Sequence, residues 1–482
     1  MFSSVLAPLA VAVTSICPVV AGNPTTSFDI FPRTPAAGID VQALAPKLSP
    51  NAKIYLPGTN EFDTYTTRWS NLKAPTPSIV VAPGTEKDVQ HIMDYGIEIY
   101  MPQLNSVAIK KNGKTATIGG GIGSKNLIDT LWAAGKQTVT GCCECVSYLG
   151  PALGGGHGWL QGHHGLITDQ FQSMNVVLAN GEFKTIDSTS DLWWGMQGAG
   201  HNFGIVTSVT SKIYDIEHFD WAIETIVFSG DKVEEVYDAA NKYILKGGNQ
   251  SVEIQNWSYW QNDLTLDAER PVIVMFIIQE GATAVDPKYT TPFHDIGPLA
   301  ITPQSGSYQD LAKWTGIALE SPPCQDFGFN NPRFPIYISN YNVTAQRKAY
   351  DLYASAISGA DNPYFNSIFM FEDYPSSGVR DRDNSASAYG FRDAHLLSAP
   401  LIIYNSTGEA QDESVRELGV QLRNIIQEGT GSEELHTYVN YAYGNEGPES
   451  WYGYESWRQE KLQTLKEKYD PEGKFSFYAP IA

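Results

Sequence analysis

Gly141-Cys142-Cys143-Glu144-Cys145-Val146, followed closely by Gly154-Gly155-Gly156-His157-Gly158, is the stretch on which the reading of this chain turns. Glycines let main chain approach a ligand where a Cβ would clash, and successive N–H groups then form an anion-binding concavity. A thiolate beside such a loop can bond covalently to an electrophilic ring. On spacing alone, an inert buried cysteine ahead of a glycine-rich turn accounts for the pattern equally well.

The residues beyond that choice carry a resemblance. Residues 141–158 are similar to the flavin-linking segment of the berberine bridge enzyme-like oxidoreductases, within the p-cresol methylhydroxylase-type (PCMH-type) FAD-binding superfamily. That pattern runs glycine, any residue, the linking cysteine, two residues, valine, and later a triple glycine. Gly141, Cys143, Val146, Gly154, Gly155 and Gly156 fall in register with it, and Gly158 follows. Residues 165–170, with Asp169, and 176–181 resemble the next family segments. Leu192-Trp193-Trp194-Gly195, with Gly198, Gly200, Asn202, Phe203, Gly204 and Ile205, resembles the segment that closes over the cofactor. Residues 438–441, 465–471 and 475–481 resemble the C-terminal return.

The resemblance implies an α+β fold: a two-subdomain PCMH-type FAD-binding domain plus an α+β substrate domain whose antiparallel sheet is backed by helices. It implies FAD bound covalently through Cys143, with Gly141, Val146, Gly154, Gly155, Gly156, Gly158, Asp169, Asn202, Phe203, Gly204, Ile205 and Asn440 around the cofactor. Tyr441, of the pair Asn440-Tyr441, would act as catalytic base; without the resemblance it reads as a strand tyrosine filling core. Tyr389 and Arg392 resemble a segment lining the substrate side. The implied reaction is hydride transfer from a small organic substrate to FAD, with O2 as acceptor, in secondary-metabolite biosynthesis. A secreted carbohydrate oxidase, or a flavin-poor relative that only binds ligand, is the alternative.

Size and composition bound these readings. A chain of 482 residues exceeds what one core usually supports. The expected layout is a signal peptide over 1–21, an FAD-binding domain over 22–220, a substrate domain over 221–435 and a returning segment over 436–482. The net charge of −21 argues against nucleic acid or an anionic membrane as partner, since both call for basic patches. A monomer acting on a small molecule and O2 is expected. The apolar residues 2–20 ending in Val19-Val20-Ala21-Gly22 suit a signal peptidase, and sequons at Asn249, Asn256, Asn342 and Asn405 agree with secretion. Cleavage would remove Cys17 and leave Cys142, Cys143, Cys145 and Cys324. With Cys143 on flavin, at least one of the other three is unpaired.

Local patterns place the motifs. Residues 78–82 read as a buried strand, and Thr85 with Asp88 opens a helix running to about Tyr95. Residues 97–101 read as a strand, which leaves only Gly96 as connection where about two to six residues are usual. The family has a further strand and a glycine-rich loop here, which binds the FAD pyrophosphate and carries a histidine able to form a second flavin bond. This sequence lacks both, through a real loss or an error in the gene model, so no histidyl link and partial FAD occupancy are expected. Hairpins are expected at Asn112-Gly113 and Asn180-Gly181. Ser124 is expected to cap a helix stopped by Gly135.

Other constellations are weaker. Cys142 and Cys145 with His157, His163 and His164 loosely imitate a zinc site, but Gly150, Pro151 and Gly154 to Gly156 favour a loop over a zinc module, and no metal is expected. The clusters at 119–123 and 198–204 are not dinucleotide fingerprints, and no Lys-Ser/Thr follows them.

Overall fold

Strand alternation decides which face of this protein each side chain meets. The computed structural model describes residues 39–93, 97–325, 327–394 and 396–481, and those from Asp40 onward form one compact unit. The expected signal peptide lies outside the described residues.

A small sheet holds the wholly buried strand Ile79–Ala82 between Lys53–Tyr55, antiparallel, and Ile97–Ile99, parallel. The turn after Ile79–Ala82 is fixed by the Asp88 carboxylate, which accepts N–H bonds from Gly84, Thr85 and Ser49 and the Ser49 hydroxyl. The helix Asp88–His91 is shorter than the sequence reading, because Ile92 N–H closes on Val89 O in a tighter turn. Tyr95 and Gly96, where a connection is missing by the sequence reading, lie outside the described residues.

The second sheet is antiparallel in the order Val107–Ile109, Thr115–Gly119, Gly204–Lys212, Phe171–Leu178, Phe183–Asp187. Both expected hairpins form, with Gly113 and Gly181 at φ +65° and +82° supplying the left-handed residue. Ser124 is not the cap of its helix. Gly123 holds the extended N-cap conformation, Ser124 is the first residue of Ser124–Ala133, and its buried hydroxyl has no hydrogen-bond partner. Val439, Trp451, Tyr452, Leu462, Leu465, Ala479 and Ile481 share one apolar core with Ile118, Met174, Val176 and Val209 of this sheet.

The third sheet has seven antiparallel strands in the order Ala300–Gly306, Trp221–Phe228, Val272–Glu280, Ile254–Gln261, Ile368–Asp373, Leu396–Leu401, Ile336–Ile338. Helices Val233–Ala239, Val343–Ile357 and Glu409–Thr430 bury Val236, Tyr237, Ala349, Tyr353, Leu422 and Ile426 in the same core as Phe369, Phe371 and Trp260. This is the sheet backed by helices that the resemblance implies. Asn256 sits in its middle, wholly buried, its amide donating to Phe276 O, so that sequon cannot accept a glycan on the folded protein. Asn249, Asn342 and Asn405 are exposed.

Because side chains alternate, Phe369 and Phe371 face the helices and Glu372 emerges on the opposite face. Asp373 falls on the helix side, wholly buried, and burial drives its pKa well above the usual carboxylate range against a weak pull from the Gln250 amide. The folded protein therefore keeps a proton that the unfolded chain releases above about pH 4, and stability falls as pH rises beyond that point. Asp373→Asn is expected to raise Tm at pH 8 and to flatten the pH dependence of Tm. An unchanged profile in thermal melts from pH 4 to 8 would show that Asp373 is not the source.

Candidate active site

Glu372 is 3% exposed, and each of its oxygens takes a phenol: Tyr441 OH donates to Oε1 at 3.0 Å and Tyr374 OH to Oε2 at 2.9 Å. Burial raises the Glu372 pKa; the two phenols and the Arg333 charge oppose it. Burial and then the Glu372 charge push Tyr441 well above the ordinary phenol range, with Arg333 again opposing. Tyr441 is thus a neutral phenol whose proton already points at a carboxylate. It can accept a proton only while passing its own to Glu372, and sequence reasoning did not find that partner.

The cysteines gather on the same side. Cys142 Sγ lies 3.4 Å from the Tyr374 hydroxyl. Cys145 is disulfide-bonded to Cys324, and Cys142 and Cys143 are free thiols. Cys143 Sγ lies 3.6 Å from each disulfide sulfur. The crosslink ties the cysteine loop to residues 317–324, helped by Glu144 N–H donating to Ile317 O and Leu319 N–H donating to Glu144 Oε2. Burial pushes both thiols up, Cys142 furthest, while Arg333 pulls Cys143 down.

Arg333 completes the group. Its guanidinium stacks between two rings, 4.7 Å from Trp69 and 4.3 Å from Tyr441. Nε is buried without a hydrogen-bond partner, and among the described residues the side chain has no ion-pair or hydrogen-bond partner.

The other expected residues are engaged as joints. A Cβ at Gly154 would meet Asn440 Oδ1 at 2.3 Å, and one at Gly158 would meet Thr140 O at 2.0 Å, so the glycine loop packs against the chain's own atoms. Gly155, at φ +104°, packs on Tyr389. Asn440 Nδ2 donates to Pro151 O, clamping that loop to the turn that carries Tyr441. Gly141 is buried ahead of the cysteines, and Val146 is exposed with its carbonyl accepting from Ser124 N–H. Asp169 forms a buried two-pronged ion pair with Arg392 and accepts from Leu166 N–H. Asn202 binds Tyr452 and Ile481 N–H; Phe203 is core; Gly204 and Ile205 begin a central strand. His157 bonds Gln161 and Tyr337 and burial lowers it to about 4, His163 bonds Glu280, and His164 stacks on Tyr214, so the imidazoles do not converge on the cysteines.

Comparison with known proteins decides the family. The chain is 56% identical over 469 positions to the FAD-linked oxidoreductase chyH of Penicillium rubens, covering 92% of this chain and 94% of that protein. The chain belongs to the FAD-linked oxidoreductases, and its fold is that of the berberine bridge enzyme-like proteins. Residues 94–187 match the model described as an FAD binding domain. Among solved structures, this oxidoreductase is similar to a variant of berberine bridge enzyme in complex with (S)-reticuline, with TM-score 0.76 and 14% identity over 92% of this chain and 99% of that one. It is also similar to the glucooligosaccharide oxidase of Acremonium strictum, with TM-score 0.73 and 19% identity over 91% and 98%; that oxidase is described with a 6-S-cysteinyl, 8α-N1-histidyl FAD. The alignment to chyH takes in 92% of a 482-residue chain, which is fewer residues than its 469 positions, so that relative carries residues with no counterpart here. No helix among the described residues is long and apolar enough to cross a membrane.

The donor set fits the ring end of FAD: a half-buried free thiol at Cys143 shares a neighbourhood with a buried phenol–carboxylate pair. Alkylation of the native, flavin-depleted protein is expected to label Cys143 well before the buried, hydrogen-bonded Cys142, with Cys145 and Cys324 unlabelled until reduction. Peptide mapping that found Cys142 labelled first, or Cys143 in a disulfide, would contradict this arrangement.

Proposed function

We propose that this oxidoreductase holds FAD through a thioether at Cys143 and oxidises a C–H bond of a small organic substrate, with Glu372, reached through Tyr441, as the proton acceptor. The observation that carries the reading is the Tyr441 OH to Glu372 bond beside the free Cys143 thiol. When bound, FAD supplies the hydride acceptor and returns its electrons to O2.

The chain's own part is proton handling and orientation. Tyr441 takes the substrate proton as its own moves to Glu372 Oε1, so no free phenolate is needed in a buried setting. Tyr374 holds the second carboxylate oxygen and keeps Glu372 in line. Asn440 keeps the Tyr441 turn against the glycine loop, and the Cys145–Cys324 crosslink keeps the cysteine loop in place. Gly141, Val146, the glycine loop, Asp169 and residues 202–205 remain the proposed surroundings of the cofactor.

The residues of chyH without counterpart here support the reading that the pyrophosphate loop before Ile97 is the missing segment. Retention of FAD then rests on the thioether, with no histidyl link. A role in secondary-metabolite biosynthesis, with carbohydrate oxidation as the alternative, and secretion as a monomer complete the proposal.

Removing a positioned proton acceptor costs about 10²–10⁴ in rate. Tyr441→Phe and Glu372→Gln are each expected to slow anaerobic flavin reduction by that order, and the double variant by no more than the worse single one, because the two act as one relay. Glu372 must be ionised to accept, so the wild-type rate is expected to fall as pH falls through its raised pKa, and Glu372→Gln to lose that limb. Unchanged stopped-flow rates in both variants would overturn the assignment.

A further inference from the structure

We infer that Arg333 is an anion anchor in the substrate site, so that the substrate of this oxidoreductase carries a carboxylate or a comparably compact oxyanion. The inference rests on the proposed seat of the reaction at Tyr441 and Glu372, and goes beyond it by naming the substrate class.

A guanidinium presents five N–H donors in a rigid fork. In Arg333 none of them meets an acceptor among the described residues, and Nε is buried as well as unpartnered. Leaving a buried donor unmade is unfavourable, and native proteins rarely do it without a ligand, water or ion to complete the site. The side chain is only partly buried, and its terminal nitrogens are neither paired nor closed off, so they are open to an incoming acceptor. Trp69 and Tyr441 stack on the guanidinium at 4.7 and 4.3 Å and hold it in place. That stacking stabilises the cation and pre-organises the fork.

Position links the fork to the chemistry. The ring beneath the guanidinium is Tyr441, whose hydroxyl is bonded to Glu372. A carboxylate held in the fork by two parallel N–H bonds therefore lies within a small molecule's length of the proton-accepting hydroxyl. The titratable groups that feel Arg333 are Glu372, Tyr441, Cys143, Tyr259 and Tyr478. Glu372 is the acid among them, and its two oxygens are already occupied by phenols. In a chain of net charge −21, an arginine left without a carboxylate partner beside the reacting group is selective for an incoming anion.

The phosphates of FAD offer the same oxyanion chemistry, so the test separates the two sources. Benzoate and its neutral isostere benzamide are titrated into the purified protein by calorimetry, with Arg333→Gln and Arg333→Lys alongside and melting curves as the check on folding. Benzoate is expected to bind the wild type at least ten-fold more tightly than benzamide, a preference that Arg333→Gln abolishes and Arg333→Lys keeps in part. Pyrophosphate should not compete with benzoate, and flavin content should be the same in Arg333→Gln as in wild type. Equal binding of benzoate and benzamide by the wild type, or undiminished benzoate binding by Arg333→Gln, overturns the inference. Displacement of benzoate by pyrophosphate together with loss of flavin from Arg333→Gln also overturns it, assigning the arginine to the cofactor instead. Tyr441→Phe keeps the ring under the guanidinium and should keep the benzoate preference, so the anion site and the proton relay fail independently.

Discussion

One buried carboxylate organises the reactive region. Glu372 leaves water on the face of the seven-stranded sheet away from the helices, and a lone carboxylate there would simply take up a proton. Two phenols counter that tendency, one from Tyr374 just past the strand and one from Tyr441 in the C-terminal segment. Tyr374 also touches Cys142, so three distant stretches of sequence meet at one charge. The geometry asked of Tyr441 and of the cysteine loop follows from satisfying that group.

The cysteine loop is held from two sides. The disulfide and Glu144 tie it to residues 317–324, while Asn440 and Gly154 tie the following glycine loop to the turn that carries Tyr441. The free thiol between them is therefore fixed relative to the Tyr441–Glu372 pair. In the proposed reaction this restraint matters because proton and hydride leave the same substrate, and small displacements of the groups receiving them are costly in rate.

What the sequence made legible was local or carried by resemblance. The hairpins at Gly113 and Gly181 follow from turn chemistry, and motif register nominates Cys143 and Tyr441 as the candidates proposed above. Glu372 was hidden because Phe369-Met370-Phe371-Glu372-Asp373 reads as an apolar strand with a polar end, and nothing local links it to a tyrosine in another segment. An acid beside another acid at the end of a buried strand was the available signal: alternation sends one to the helix core and the other to the opposite face. Arg333 lay unremarked in Asn331-Pro332-Arg333-Phe334, since stacking between Trp69 and Tyr441 is a tertiary fact. The Ser124 cap misread a helix start by one residue, because Gly123 also takes the extended conformation that an N-cap needs. The Asn256 sequon failed for the opposite reason to a loop site: its strand is central.

Cys143 is proposed as the thiol held for flavin beside the phenol–carboxylate pair. The most direct measurement is fragment mass spectrometry of peptides from acid-denatured protein, comparing wild type with Cys143→Ala and Cys142→Ala. Flavin is expected on Cys143 in the wild type and in Cys142→Ala, and none on the polypeptide in Cys143→Ala. Flavin found on Cys142, released free from the wild type, or still attached in Cys143→Ala would contradict it.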